Sequence, residues 1–253
     1  MEQERNSYQL NLTTKYCNDS PGEYGLWISD GPTGFGKTHN VLMYLYSQIA
    51  EHPEDERKYF FVTPLKKNLP DKKLREIFAE HGRAELYDRK VLTADANSES
   101  VKHNLSRVID QIPVSLKDES AFKSLYNDIT FMEMQKNGRG IPLDLKQIEQ
   151  VFQVNDEPAF RKMLARKLEK VYARPQDRYQ AITCDPTWNW ISELYPSETI
   201  REKQIIFLSM DKFLSVGPSI IEPASLLYLS ECIKGSVIFI STIVVKEIAK
   251  YLG

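Results

Sequence analysis

Cysteine is scarce in this chain of 253 residues: Cys17, Cys184 and Cys232 stand singly, an odd number with no metal-ligand spacing. That pattern excludes a disulfide framework and a cysteine-built zinc site, and predicts reduced thiols. Histidine is equally thin, and His39, His52, His81 and His103 show no metal spacing either. Charge of one sign is lacking too, with 33 basic against 35 acidic residues and a net charge of -2. Affinity for nucleic acid therefore needs a local patch and cannot come from bulk charge. No apolar run approaches the roughly 20 residues of a membrane span, and the opening MEQERNSYQL is too polar for a secretory signal. A soluble, cytoplasmic protein without membrane association is the expectation. Internal repeats, low-complexity tracts and Ser–His–Asp or Cys–His nucleophile arrangements are missing as well.

What is there is the composition of a globular domain, 42% hydrophobic and 27% charged. The length suits one α/β domain or a domain carrying a large insertion. Tyr24–Ser29 reads as a short apolar strand, and from Thr38 to Ala50 the residues Val41, Leu42, Leu45 and Ile49 share one helical face. Tyr59–Val62 is a short aromatic-rich run of the kind a buried parallel strand uses. Leu74, Ile77 and Phe78 form a helical face ended by Gly82, and Val91–Ala94 is a third strand. Strand, helix, strand, helix, strand predicts a parallel sheet. From about Ser98 to Ala173 the pattern turns helical, with Leu105, Val108, Ile109, Phe122, Leu125, Ile129, Phe152, Phe160, Leu164 and Leu168 as the apolar positions. Strands are predicted again at Tyr179–Cys184, Gln204–Ser209 and Gly235–Ser241, and a C-terminal helix on Val244, Val245, Ile248 and Leu252.

The most specific stretch is Gly31-Pro32-Thr33-Gly34-Phe35-Gly36-Lys37-Thr38, which fits G-x-x-x-x-G-K-[ST] at every fixed position. Glycines let the backbone curl so that successive N–H groups converge on phosphate oxygens. The helix that follows adds its positive end. In this pattern Lys37 reaches the β- and γ-phosphates of ATP and the Thr38 hydroxyl coordinates Mg²⁺. Asp30 before the loop reads as a turn residue, and His39 after it as an ordinary first-turn residue.

The stretch Phe60–Asn68, FFVTPLKKN, is an apolar strand ending in Thr-Pro with two lysines close behind. Together with GPTGFGKT it resembles the first RecA-like domain of superfamily 2 helicases, the DEAD/DEAH-box relatives. The resemblance implies an α/β P-loop NTPase sheet with a helical insertion. It divides the chain into a lead-in at 1–22, a first part of the sheet domain at 23–97, an insertion at 98–175, and the remaining strands with a C-terminal helix at 176–253. It also implies that Thr63, Pro64, Lys66 and Lys67 lie near the backbone of single-stranded RNA or DNA.

Such helicases end a buried strand with Asp-Glu, one acid on Mg²⁺ and one to activate water. Ser236–Ile240 is the strand in that place, but Ser241-Thr242 follow it and the nearest acid is Glu247. The junction reads as though an acidic segment were lost there. Nor does the chain carry a second RecA-like domain, so it is not expected to unwind a duplex alone; a second chain could supply the missing half. Asp211, after Gln204–Ser209, is the candidate substitute acid for metal and catalysis, with Asp185, after Tyr179–Cys184, behind it.

Two further stretches admit two readings each. Trp188, Trp190 and Tyr195 can stack bases or pack a helix. Arg161, Arg166 and Lys170 in the basic run 161–178 can meet a nucleic-acid backbone or face solvent. Three functions remain in play: a helicase-like ATP-binding module, a non-catalytic nucleotide-binding or interaction protein, and a P-loop kinase of small molecules.

Overall fold

The computed structural model describes residues 36–137, 145–214, 219–221 and 236–240, together with Thr14 and Cys17. The predicted strand at 24–29, loop residues Gly31 to Phe35 and the C-terminal helix lie outside the described residues. The chain divides into two compact units. A sheet unit is drawn from Met1–Ala94, Arg201–Ser215 and Leu229–Gly253, and a helical unit from Asp95–Ile200 and Val216–Tyr228. Among the described residues no helix is long and apolar enough to cross a membrane.

The sheet unit holds α1 (Lys37–Glu51), β1 (Tyr59–Thr63), a 3₁₀ turn (Lys66–Asn68), α2 (Asp71–Glu80), α3 (Ala84–Lys90) and β2 (Val91–Ala94). It resumes with β3 (Ile205–Ser209), α11 (Met210–Leu214) and β4 (Val237–Ile240). The four strands run parallel in the order β2-β3-β1-β4. The protein is thus α/β with an all-parallel sheet. Every residue of β1 is buried, as a central parallel strand requires. Leu42, Leu45 and Ile49 of α1 and Leu74 and Phe78 of α2 pack with Tyr59, Phe61, Ile205 and Phe207, which lie on one face by the period of two. On the opposite face Phe60 meets Phe213 of α11 edge-on, with ring centroids 6.4 Å apart.

Direction is fixed along α1 by three contacts. Tyr59 donates its hydroxyl proton to Gln48, and one turn earlier Tyr44 meets Tyr59 and Phe239 edge-on at 6.0 and 6.2 Å. Phe239 is the register partner of Phe61. Stepping back along the helix is therefore stepping forward along the strands, and the start of α1 lies at the carboxyl edge of the sheet.

The helical unit comprises α4 (Asn97–Val108), α5 (Val114–Lys117), α6 (Ser120–Lys136), α7 (Leu145–Val151), a π turn (Phe152–Asp156), α8 (Glu157–Val171), α9 (Pro175–Cys184), α10 (Trp190–Leu194) and a 3₁₀ segment (Pro196–Glu202) that leads back to the sheet. Its own core gathers Leu105 and Val108 of α4, Phe122, Leu125 and Ile129 of α6, and Phe160, Leu164 and Leu168 of α8. The spacings of three and four are those of helices burying one stripe. Tyr179–Cys184, expected as a strand, is instead the second half of α9. Pro175 opens that helix with Asp177 in its first turn, and Arg178, Ala181 and Ile182 face inward at helical spacing. These signals override the β-branched look of Ala-Ile-Thr.

Two buried charges pin residues 219–221 within this unit. Arg178 donates to the carbonyls of Ile221 at 2.6 Å, Tyr172 at 3.0 Å and Ala173 at 2.9 Å. Glu198 accepts from the Ser219 hydroxyl at 2.6 Å and the Ile220 N–H at 3.0 Å. Replacing Arg178 by Met strands buried acceptors, and Arg178→Met is expected to cost about 3 kcal/mol, read from urea unfolding.

A second expectation concerns pH. The Ser124 hydroxyl donates to Asp156 at 2.5 Å. Burial, then the adjacent Asp156 carboxylate, pushes Asp128 up to about 6. The Oδ2 of Asp128 is buried and finds no donor among the described residues, so a proton satisfies it. The folded chain then holds a proton that the unfolded chain, at the ordinary value of 3.8, has released. The contribution of this carboxyl to stability is full below that value and is lost as pH rises through about 6. Asp128→Asn should gain stability relative to the parent as pH goes from 4 to 7, measured by denaturant titration at each pH.

Candidate functional site

Gly36 stands at φ 72, ψ 12 as the N-cap of α1, with no side chain capping the helix. Glycine is at ease in that left-handed conformation, and other residues are strained there. The first intrahelical bond runs from the Asn40 N–H to the Gly36 carbonyl at 2.9 Å. The N–H groups of Lys37, Thr38 and His39 thus stand ahead of the helical ladder, at the positive end of a 15-residue helix. Lys37 is half-buried, and Thr38 and His39 are exposed. Two members of the predicted phosphate loop with the right chemistry, Lys37 and Thr38, accordingly sit on a helix end suited to an anion.

The other predicted residues of this edge follow β1. Thr63 is buried, and its hydroxyl donates to the Leu65 carbonyl at 2.9 Å, so its proton is committed to the turn. Pro64 is half-buried. Lys66 and Lys67 are exposed on the 3₁₀ turn, closed by Asn68 N–H to Leu65 O at 2.9 Å and Leu69 N–H to Lys66 O at 3.0 Å. For a polyanion, the two ammonium groups are what this turn offers.

Asp211 is exposed in the first turn of α11, immediately beyond β3. Ser209 accepts the Lys212 N–H at 3.3 Å, capping that turn, and Ser209 is the register partner of Thr63. Asp211 therefore lies at the carboxyl edge of the strand beside β1. Asp185 does not belong to this edge. It follows a helix, and its carboxylate accepts the Thr187 N–H at 2.8 Å and the Tyr172 hydroxyl at 3.0 Å, bonds that hold it below the usual carboxylate range. β4 pairs with β1 on the side away from β3, with Ile240 opposite Val62. In sequence Ser241 and Thr242 come next, where the resemblance calls for two acids. Among the described residues no group of three or more His, Cys, Asp or Glu side chains is gathered to hold a metal ion.

Part of the basic run and of the aromatic cluster is taken up by the helical core, against which Trp188 packs half-buried. Arg161 turns inward, its Nε 2.9 Å from Glu157, with side-chain exposures of 12% and 4%, so the expected basic stripe loses its first member. Trp190 and Tyr195 are fully buried, and the Trp190 indole donates to Thr187 O at 3.0 Å. Neither ring has a free face for a base.

Sequence reading passed over Asn40, a polar residue on the apolar stripe of α1. It is 2% exposed, and its Nδ2 has no hydrogen-bond partner among the described residues. The visible signal was its place four residues after Gly36 and four before Tyr44. It also passed over a shallow cavity of about 410 Å³ lined by Glu51, His52, Pro53, Glu54 and Asp55. That cavity lies at the far end of α1, about 20 Å from the helix start, and its acids do not suit phosphate.

No protein-family model matches the chain, and no curated protein sequence matches it significantly.

Gly82 takes φ 67 with open space around its Cα, so it measures backbone strain alone. Gly82→Ala and Gly36→Ala are each expected to lower unfolding free energy by about 1 kcal/mol, compared by thermal melts.

Proposed function

We propose that the sheet unit is an ATP-binding P-loop module akin to the N-terminal RecA-like domain of superfamily 2 helicases, working with single-stranded nucleic acid. The observation that carries this reading is GPTGFGKT running into α1, with Gly36 left-handed at the helix N-cap. A parallel sheet with the start of α1 at its carboxyl edge is the architecture in which such loops serve phosphate. Lys37 and the N–H groups of the first turn bind and orient the triphosphate. The exposed Thr38 hydroxyl is an oxygen donor suited to Mg²⁺, and Asp211 is the carboxylate nearest in role. Bound Mg²⁺ supplies neutralisation of phosphate charge. Lys66 and Lys67, beyond β1, meet the nucleic-acid backbone as point charges.

Ser241-Thr242 in place of two acids favours binding without turnover, because an oriented water and a second metal ligand are what hydrolysis needs. On this view the chain is a nucleotide-gated binding module or one half of a two-chain enzyme.

The test is Mg-ATP binding by calorimetry and phosphate release, with and without a single-stranded oligonucleotide. Wild type should bind, Lys37→Ala should weaken binding at least tenfold, and neither should release phosphate. Release that vanishes in Lys37→Ala would make Asp211 a working acid and overturn the non-catalytic reading. No binding by wild type would overturn the P-loop reading itself. For the oligonucleotide, Lys66→Ala and Lys67→Ala should each reduce the slope of log affinity against log salt by about 1.

A further inference from the structure

The helix end described above has a second unusual feature within one turn of it. Asn40 is 2% exposed, yet its carboxamide Nδ2 is buried without a hydrogen-bond partner among the described residues. A buried unpaired amide is costly, and native chains keep few of them. The rest of this stripe of α1 is apolar or aromatic: Leu42, Tyr44, Leu45 and Ile49. A leucine would fit that pattern better than an asparagine.

The side chain can be placed along the sheet. Gln48 reaches Tyr59, and Tyr44 touches Tyr59 and Phe239, the latter level with Phe61. One turn back is about 6 Å, and two residues along a strand are about 6.6 Å. Asn40 therefore lies level with Thr63, on the face that carries Tyr59 and Phe61, where β1 ends. Its own N–H bonds Gly36 O at 2.9 Å, so Asn40 is the residue that joins the helical ladder to the left-handed cap. By this register the buried amide belongs to the seam between the start of α1 and the carboxyl edge of the sheet.

The geometry points to Asn40 as a positioning residue of the phosphate-binding helix end, its amide donating to an oxygen acceptor that enters the seam when a nucleoside triphosphate seats on Lys37 and the first turn. This rests on the P-loop reading above. It adds to it that part of the cost of the ligand-free state is stored in an unmade hydrogen bond, which ligand binding makes. The chemistry asks for a donor here, so an apolar side chain of the same branching removes the cost and the function together.

The experiment uses the full chain and three variants, Asn40→Leu, Asn40→Asp and Lys37→Ala, with Mg-ATP as probe. Thermal melts without ligand and calorimetric titrations are read side by side. Asn40→Leu should melt a few degrees above wild type without ligand, yet bind Mg-ATP about tenfold more weakly, the worth of one buried hydrogen bond. Asn40→Asp, which replaces the donor by a carboxylate, should melt lower and bind more weakly still. A merely structural amide moves stability and leaves affinity alone. Asn40→Leu binding as wild type does, while Lys37→Ala fails to bind, would overturn the role of Asn40 and leave the P-loop reading standing. Wild type that ignores Mg-ATP would overturn both.

Discussion

β1 lies between β3 and β4 with no residue exposed, and the sheet unit depends on that fact. Its ladder is made from segments far apart in the chain: Tyr59 pairs with Ile205 and with Val237. Neither neighbour is local, so the entropy of closing long loops is met before the sheet returns any burial. Polar side chains fasten the point of return. Lys58 donates to the carbonyls of Arg201 and Lys203, each at 2.8 Å. Gln204 donates its side-chain amide to Asp55 O while its carbonyl accepts the Tyr59 N–H at 2.7 Å. Lys203 in turn reaches the carbonyls of Asp88 and Arg89 at the end of α3. The start of β3 is thereby tied to the starts of both its neighbours, and these bonds fix the register in which the core residues meet.

The helical unit is held differently. Its apolar core is contiguous, and buried charges work at its seams. Arg178 serves the open carbonyl end of α8, Glu157 neutralises Arg161 one turn along the same helix, and Lys102 lies between Glu99 and Glu149. The Glu157 pair explains why Arg161, the first residue of the expected basic stripe, is withdrawn from solvent. A cation four residues after a glutamate is a partner first, and only Arg166 and Lys170 of the expected stripe keep their heads in solvent.

Strands β1 and β3 were legible because parallel strands buried on both faces read as short continuous apolar runs, and the edge strands β2 and β4 because theirs are equally short and β-branched. The helical stripes of α4, α6 and α8 were legible because each repeats at three and four. α9 was not, since Tyr179–Cys184 carries only two buried residues of its own, and what makes it a helix is Pro175 ahead of it and the three carbonyl acceptors of Arg178. Asp185 fell with it, because a residue read as ending a strand ends a helix. In the candidate site, the places of Lys37 and Thr38 at a helix start and of Asp211 just beyond a strand were legible from sequence pattern, and Lys66 and Lys67 were singled out by the resemblance. Asn40 was hidden because a polar residue within an apolar stripe reads as noise unless its burial and its empty donor are known. The commitment of the Thr63 hydroxyl to Leu65 was equally invisible, being a matter of one rotamer.

The sheet order carries a consequence for how this chain could be rebuilt. β2 and β3 are adjacent and parallel, so the chain leaving Ala94 at one edge of the sheet must come back to the other edge to enter β3. A crossover of a dozen or so residues suffices for that in most α/β proteins, whereas here the whole of Asp95–Ile200 lies on the route. The larger segment of the helical unit, Asp95–Ile200, is topologically a very large crossover connection, while Val216–Tyr228 joins the same unit from between β3 and β4. A short tight turn could not replace it, since hairpin turns join antiparallel strands; a single helix with two loops could. A module grafted between Ala94 and Arg201 would leave the strand ladder as it is, but it would also have to cover Ile220 and Ile221, which come from between β3 and β4 and are buried in the helical core.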